Sequence, residues 1–91
     1  MYVLSAMLTF HIPHACSLKD KRQVRRSLIE KARGKFNVSV SEVATQDAHR
    51  TLTIGIATVS GDAAHARQSF DEIIRFMENH PEAELEEIVE S

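Results

Sequence analysis

SLKDKRQVRR, residues 17–26, begins the first predicted helix of this chain. Ser17 is of the residue type that caps helix starts, and Asp20 three positions later supplies a carboxylate near the first-turn amides, a variant of the capping box. Five of the ten side chains are basic. The stretch therefore predicts both the start of a helix and a positively charged surface on it.

The helix predicted from this start is amphipathic and about four turns long. Val24, Leu28 and Ala32 recur at helical spacing and form the stripe expected to face the core. Gly34 stands where a residue in the left-handed conformation commonly ends a helix. The side chains expected on the opposite face are Lys19, Arg22, Arg26, Glu30 and Arg33.

Further elements follow from the remaining sequence patterns. Alternating apolar and polar residues predict strands at residues 2–12 and 36–41, and a third from residue 51 that ends at the turn signal Ser60-Gly61. Asp62 is expected to cap a second helix over residues 63–77. The glutamate-rich tail, residues 82–91, predicts a short, charged last strand.

This βαββαβ order predicts an α+β fold of the ferredoxin-like class, forming a single domain over residues 1–91. Right-handed crossovers place both helices on one face of an antiparallel sheet of strand order 4-1-3-2, giving a two-layer sandwich. Strands one and three are the richest in apolar residues, as the central strands of such a sheet should be. Glu84, Glu86 and Glu90 are expected to protect strand four at an edge.

The overall composition is that of an ordinary globular protein. Of the 91 residues, 43% are hydrophobic and 26% are charged. Cys16 is the single cysteine, so no intrachain disulfide is possible. The apolar first residues lack a basic leader and are too short to span a bilayer. The expected location is therefore the reducing cytoplasm, without a membrane partner.

The net charge of −2 conceals a segregation of charge along the chain. Residues 19–35 contain eight basic side chains against Asp20 and Glu30, whereas residues 62–91 contain nine carboxylates against Arg67 and Arg75. Such a separation makes the molecule a dipole, which steers an anionic partner toward the basic side.

Several short motifs resemble a known family. SLKDKR at residues 17–22 and KFNVSV at residues 35–40, with Pro13 before them and EV and QD shortly after them, are similar to the YlxP-like family, a bacterial domain of unknown function. The resemblance covers nearly the whole chain and implies a ferredoxin-like fold with no established activity. Genes of that family tend to lie beside those for translation initiation and ribosome maturation factors, which implies a role there by association.

The basic first helix is the first candidate binding surface. Free amides at its start, the helix dipole and nearby cations predict a phosphate site, and cations farther along extend it as a nucleic-acid backbone requires. The alternative is a merely solvated helix face. The sequence leaves open whether Lys21 and Arg25 point to solvent or lie over the core. The candidate residues are Ser17, Lys19, Lys21, Arg22, Arg25, Arg26 and Arg33.

The outer face of the sheet is the second candidate surface. Its outward positions carry no aromatic ring on which bases would stack, so base recognition by the sheet is not expected. This face instead favours a homodimer or another protein partner, and the alternative is an ordinary exposed sheet. The candidate interface residues are Ser5, Met7, Thr9, Thr51 and Thr53.

Catalytic and metal-binding patterns are weak. His11, His14 and Cys16 lie close in sequence, but no fourth ligand is identifiable, and a lone cysteine is more often a small buried residue. The three glycines form no phosphate-binding loop. The sequence predicts no catalytic residue, cofactor or metal. We expect a non-enzymatic accessory domain that contacts RNA or the ribosome without reading DNA sequence, or else a homodimeric protein-interaction module.

Overall fold

The computed structural model describes all 91 residues. Its elements, in chain order, are β1 (Tyr2–His11), α1 (Leu18–Lys35), β2 (Ser39–Ala44), β3 (Thr51–Ser60), α2 (Ala63–Glu78) and β4 (Glu84–Glu90). All six predicted elements are present in the predicted order. The α+β ferredoxin-like fold is therefore confirmed.

A four-stranded antiparallel sheet in the order β2-β3-β1-β4 forms one layer. This is the predicted order 4-1-3-2 written from the other edge. β1 and β3 pair along their whole lengths, from Tyr2 opposite Ser60 to His11 opposite Thr51. The two central strands are those with the strongest apolar patterns, as predicted.

The core lies between this sheet and the two helices. Its buried strand side chains include Leu8, Phe10, Leu52, Ile54 and Ile56, and its buried helix side chains include Val24, Leu28, Phe70, Ile73 and Met77. These residues come from one side of each strand and one stripe of each helix. Both helices therefore pack on the same face, and the outer face of the sheet stays open.

Helix α1 begins as predicted but ends differently. Ser17 Oγ accepts a hydrogen bond from the Asp20 amide at 3.2 Å, and the Asp20 carboxylate accepts one from the Cys16 amide at 2.8 Å. The prediction that Gly34 ends the helix in a left-handed conformation is wrong, because the helix runs to Lys35 and no glycine has a positive φ.

Packing of Phe36 delays the start of β2. The Phe36 ring lies edge-to-face against Phe76, with centroids 5.5 Å apart. The carbonyl of Asn37 accepts a hydrogen bond from Thr58 Oγ1 at 3.0 Å. These contacts hold residues 36–38 out of the strand ladder, so the predicted strand start at residue 36 is wrong and β2 begins at Ser39.

The edge strand β4 is connected to α2 by charged side chains. Arg67 of α2 lies 2.7 Å from both Asp71 and Glu90. Glu84 and Glu86 are exposed along the strand, as predicted for edge protection. Because the Arg67 pairs are exposed to solvent, they orient the end of β4 more than they stabilise it.

No helix combines the length and the apolar character needed to cross a membrane.

Candidate functional site

Lys21 belongs to the interior of the fold. Although it is charged, it is only 2% exposed. Its ammonium donates to the carbonyls of Thr45 and Ala48, the latter at 2.7 Å, and lies 2.9 Å from Glu42 Oε2. A buried cation needs such partners. Lys21, included in the predicted anion-binding set, is therefore not available to an external anion.

Arg25 pairs with the same carboxylate. Arg25 Nη1 donates to Glu42 Oε1 at 2.9 Å, and the Glu42 side chain is 9% exposed. Burial alone would raise the pKa of the Glu42 carboxyl, but the hydrogen bonds and charges of Lys21 and Arg25 outweigh it and lower that pKa. Arg25 is thus largely committed to an internal ion pair.

The contacts of Lys21 also fix the loop between β2 and β3. Pairing of these strands shifts register between Glu42 and Ala44. Thr45 follows with a φ of 60°, the left-handed region that a β-branched residue rarely adopts. Because Lys21 donates to the Thr45 carbonyl, the start of α1 and this loop form one structural unit.

Arg33 covers part of the open edge of β2. Its Nη2 donates to the carbonyl of Val40 at 2.8 Å. Unpaired carbonyls on an edge strand attract other strands. Arg33 is exposed, but one of its donors already has a role in protecting this edge.

Three of the predicted cations of α1 remain free for an external partner. Lys19, Arg22 and Arg26 are exposed, and none of them forms an ion pair within the protein. Their spacing of three and four residues places them on one face of the helix. Of the seven residues predicted to bind an anion, these three remain the best candidates.

Arg50 adds a fourth cation that the sequence did not suggest. Its Nε donates to the Ala15 carbonyl at 3.2 Å, and its own carbonyl accepts from the Ile12 amide at 2.9 Å. These bonds hold Arg50 beside the connection that leads into α1. We call the group formed by Lys19, Arg22, Arg26 and Arg50 the basic end. A contact between a loop and a segment 35 residues away has no periodic signal in the sequence.

The amides at the start of α1 are less suited to phosphate than the sequence suggested. Asp20 occupies the Cys16 amide, and the Ser17 hydroxyl is engaged in the cap. A cavity of about 200 Å³ adjoins this turn, and both Asp20 and Glu82 line it. Because two carboxylates repel a phosphate, the cations of the basic end are the better anion-binding feature.

The histidines and the cysteine near the end of β1 contact separate neighbours. His11 Nδ1 lies 3.9 Å from Glu86 Oε1, and Cys16 Sγ lies 3.7 Å from the His14 carbonyl. Cys16 is exposed. No three His, Cys, Asp or Glu side chains are grouped so as to hold a metal ion.

Ser27 and His80 form a polar contact that sequence spacing could not reveal. Ser27 Oγ lies 3.0 Å from His80 Nε2, and His80 Nδ1 accepts from the Glu82 amide at 3.1 Å. With Nδ1 acting as an acceptor, the neutral ring carries its proton on Nε2 and donates it to Ser27. Such a histidine cannot take the serine proton, so the pair ties α1 to the α2–β4 connection.

We expect His80 to make the protein less stable in mild acid. Burial lowers the pKa of His80, as does Lys31, while Glu82 partly opposes them. The folded pKa therefore lies below the unfolded value of about 6.5. The contribution of neutral His80 is complete above that value and is lost as pH falls through the folded pKa.

Urea unfolding of the wild type and His80→Asn between about pH 7.5 and 5.5 measures this effect, since the range brackets the ordinary histidine pKa. The wild type should lose stability more steeply than the variant as pH falls. His49→Asn, at an exposed loop histidine, is the matched control and should follow the wild type. Parallel pH curves for the wild type and His80→Asn would exclude this role of His80.

The outer face of the sheet differs from the prediction at one position. Thr53 is only 4% exposed, because Thr45 Oγ1 accepts from the Thr53 amide at 3.0 Å and lies 3.1 Å from Thr53 Oγ1. Thr53 is therefore not on an accessible interface. Met7 is exposed, whereas Ser5, Thr9 and Thr51 are half-buried. The other large exposed apolar residues of this face are Val3, Val43, Val59 and Val89.

Comparison with known proteins identifies the family. A family model described as "Protein of unknown function (DUF503)" matches residues 3–89. The chain belongs to the DUF503 family. It is also similar to the uncharacterized protein YlxP of Bacillus subtilis (strain 168), with 36% identity over 70 residues, or 77% of this chain and 76% of that protein. The resemblance to the YlxP-like family is thereby confirmed.

Proposed function

We propose that this DUF503 protein is a non-enzymatic accessory domain that binds structured RNA, on the ribosome or during its maturation, through the basic end. The observation that carries the proposal is a group of exposed cations near the start of α1 that form no ion pair within the protein: Lys19, Arg22, Arg26 and Arg50. Three are arginines, the residue type that best matches phosphate geometry.

The position of these cations favours a phosphate backbone over a small anion. The three on α1 span residues 19–26, or about 10 Å of helix at about 1.5 Å per residue. Arg50 widens the surface from a neighbouring loop. A row of this extent contacts several phosphates of one nucleic acid, and each contact adds salt-dependent affinity.

Recognition would use the shape and phosphates of RNA. The outer sheet face lacks the aromatic side chains on which single-stranded bases stack. The segregation of charge along the sequence supports the same surface, because residues 19–35 carry eight basic side chains against two carboxylates. The gene association implied by the family resemblance supports the ribosome as the source of the RNA.

Reversal of two cations tests the proposal. We expect Arg22→Glu with Arg26→Glu to weaken binding to a structured RNA hairpin at least about tenfold and to reduce the salt dependence of binding, since each phosphate contact contributes about 0.7–0.9 to the log–log slope. Fluorescence anisotropy at low and moderate salt measures the affinity. Co-sedimentation under the same salt conditions tests whether the protein binds intact ribosomes.

Lys31→Glu with Lys35→Glu is the matched control. It lies on the same helix, changes two exposed cations and alters net charge by the same amount. It should retain most of the affinity, whereas Arg50→Glu should reduce it. Equal losses in both double variants would indicate a general charge effect and contradict the proposal. A wild type that binds neither RNA nor ribosomes would also contradict it.

A further inference from the structure

The outer face of the sheet has an alternating relief of large and small side chains. Val3 of β1 lies opposite Val59 of β3, and both are about half exposed. Together they form a first apolar ridge. Because outward residues recur every second position along a strand, the next row lies about 7 Å farther along β1.

The second row is a trough of small side chains. Its members, from β1 through β3 to β2, are Ser5, Ala57 and Ser39. Ser91 extends this row on the other side, since its amide donates to the Ser5 carbonyl at 3.0 Å. A shallow cavity of about 330 Å³ lies along this row, and Met7 and Val43 of the next row also line it. The trough therefore crosses nearly the whole width of the sheet.

The third row is a second apolar ridge. Met7 pairs with Val89 on one side and Gly55 on the other. Val43 fills the space above Gly55, because a Cβ at position 55 would lie 2.8 Å from Val43 Cγ1. Met7, Val43 and Val89 are each 43–46% exposed. The ridge therefore runs from β4 across β1 to β3, and the small Ser41 of β2 lies opposite Gly55 at its end.

No charged side chain stands in these three rows. The nearest carboxylate of the outer face is Glu87, which pairs with Thr9 in the fourth row. An uncharged surface of this kind cannot bind the RNA backbone. It is suited instead to an equally uncharged protein surface, and the chain itself carries one.

We propose that this face binds the same face of a second copy, with the Met7 ridge of each copy seated in the Ser5 trough of the other. In this dimer the two copies are related by a two-fold axis that lies in the interface, runs parallel to the rows and passes between the second and third rows. Each copy then contributes the same patch, as two-fold symmetry requires. In the same arrangement the Val3 row faces the Thr9 row.

The alternation of rows with large and small side chains favours this axis over a two-fold axis parallel to the strands. With the latter, each row would face its own counterpart, so ridges would meet ridges and troughs would face each other across a void. Protein interfaces are packed as densely as interiors, and voids forfeit dispersion contacts. The offset arrangement fills the trough, with about the usual 10 Å separation of packed sheets.

The size of the face is compatible with a reversible dimer. Two central strands of ten residues and two shorter edge strands give a projected face of roughly 500 Å², at about 4.8 Å between strands and 3.4 Å per residue. Stable complexes bury about 800 Å² of accessible surface per partner. The basic ends lie outside this face, so both copies keep them available.

Charge substitution in the ridge and the trough tests the arrangement. We expect Met7→Lys and Ser5→Glu, made singly, each to weaken the dimer at least about a hundredfold, because each places an unpaired charge in an apolar interface. The chain carrying both substitutions should regain most of the affinity. In the offset dimer the carboxylate at position 5 of one copy faces the ammonium at position 7 of the other.

Sedimentation equilibrium of the full chain over a wide concentration range gives the dimer constant. Circular dichroism confirms that each variant is folded, and Arg22→Glu controls for a change of charge outside the interface. A wild type that remains monomeric up to about 1 mM, the weak limit of specific association, overturns the proposal. So do single variants that still dimerise normally. A double variant that stays as weak as the singles excludes the offset arrangement.

Discussion

Lys21→Met should reduce the free energy of unfolding by about 3–5 kcal/mol, because it removes one partner of a buried ion pair. The substitution keeps a side chain of similar length but leaves the Glu42 carboxylate with Arg25 alone. The carbonyls of Thr45 and Ala48 also lose their donor. For a domain with a total stability of about 5–15 kcal/mol, this loss is severe. Urea unfolding at neutral pH measures it directly.

A double variant separates the cost of an orphaned charge from the loss of packing. Adding Glu42→Leu to Lys21→Met should restore part of the stability, because an apolar pair can replace a buried ion pair at little cost. Lys31→Met, at an exposed position of the same helix, should change stability by no more than about 0.5 kcal/mol. If Lys21→Met proves as mild as Lys31→Met, the buried pair has no structural importance.

Phe70→Ala should cost about 3–5 kcal/mol, the usual range for a buried aromatic residue. Phe70 is 1% exposed and anchors α2 to the sheet together with a short stripe of buried residues. That stripe consists of Ala66, Phe70, Ile73 and Met77. The remaining side chains of the stripe are too few to close the resulting cavity. At about 4–8 °C per kcal/mol for a domain of this size, the melting temperature should fall by at least about 12 °C.

Two further substitutions in α2 provide reference values with which the loss of stability in Phe70→Ala is compared. Glu72→Ala, at an exposed position, should be nearly neutral. Ile73→Val, which removes one buried methylene, should cost about 0.5–1.5 kcal/mol. Thermal unfolding followed by circular dichroism ranks the three variants. A Phe70→Ala protein that melts within a few degrees of the wild type would mean that α2 is not anchored at this residue.

The fold was predictable because its signals are local. Alternation within β1 and β3 and the caps at Ser17 and Asp62 depend on residues a few positions apart, and the structure contains each of them. The end of α1 was predicted wrongly because it depends on a distant residue. Phe76 draws Phe36 into the core, and no pattern near Gly34 indicates that contact.

The burial of Lys21 in an ion pair was partly predictable from the sequence. Lys21 lies three residues before Val24 and seven before Leu28, so it occupies the same inward stripe. Glu42 likewise lies two residues after the buried Val40 and shares its side of β2. Opposite charges at two inward positions indicate a buried ion pair. The sequence alone cannot show that the two positions meet in space.

The sequence predicted three of the four cations of the basic end but not the fourth. Lys19, Arg22 and Arg26 follow the helical period and were predicted together, whereas Arg50 lies in a loop without periodicity. Its position depends on its hydrogen bonds to Ala15 and Ile12. Binding surfaces assembled from loops of distant segments are therefore only partly visible in sequence patterns.

The hydrogen bonds from Lys21 to the β2–β3 loop limit where this protein can be cut or extended by engineering. Exposed loops usually tolerate insertions and new chain termini, and residues 46–50 are all exposed. Here the carbonyls of Thr45 and Ala48 are held by an ammonium from another element, so an inserted tag would pull them from a buried charge. The turn at Gly61, where a Cβ would meet no other atom within 4 Å, is the better place to attach a probe or open the chain.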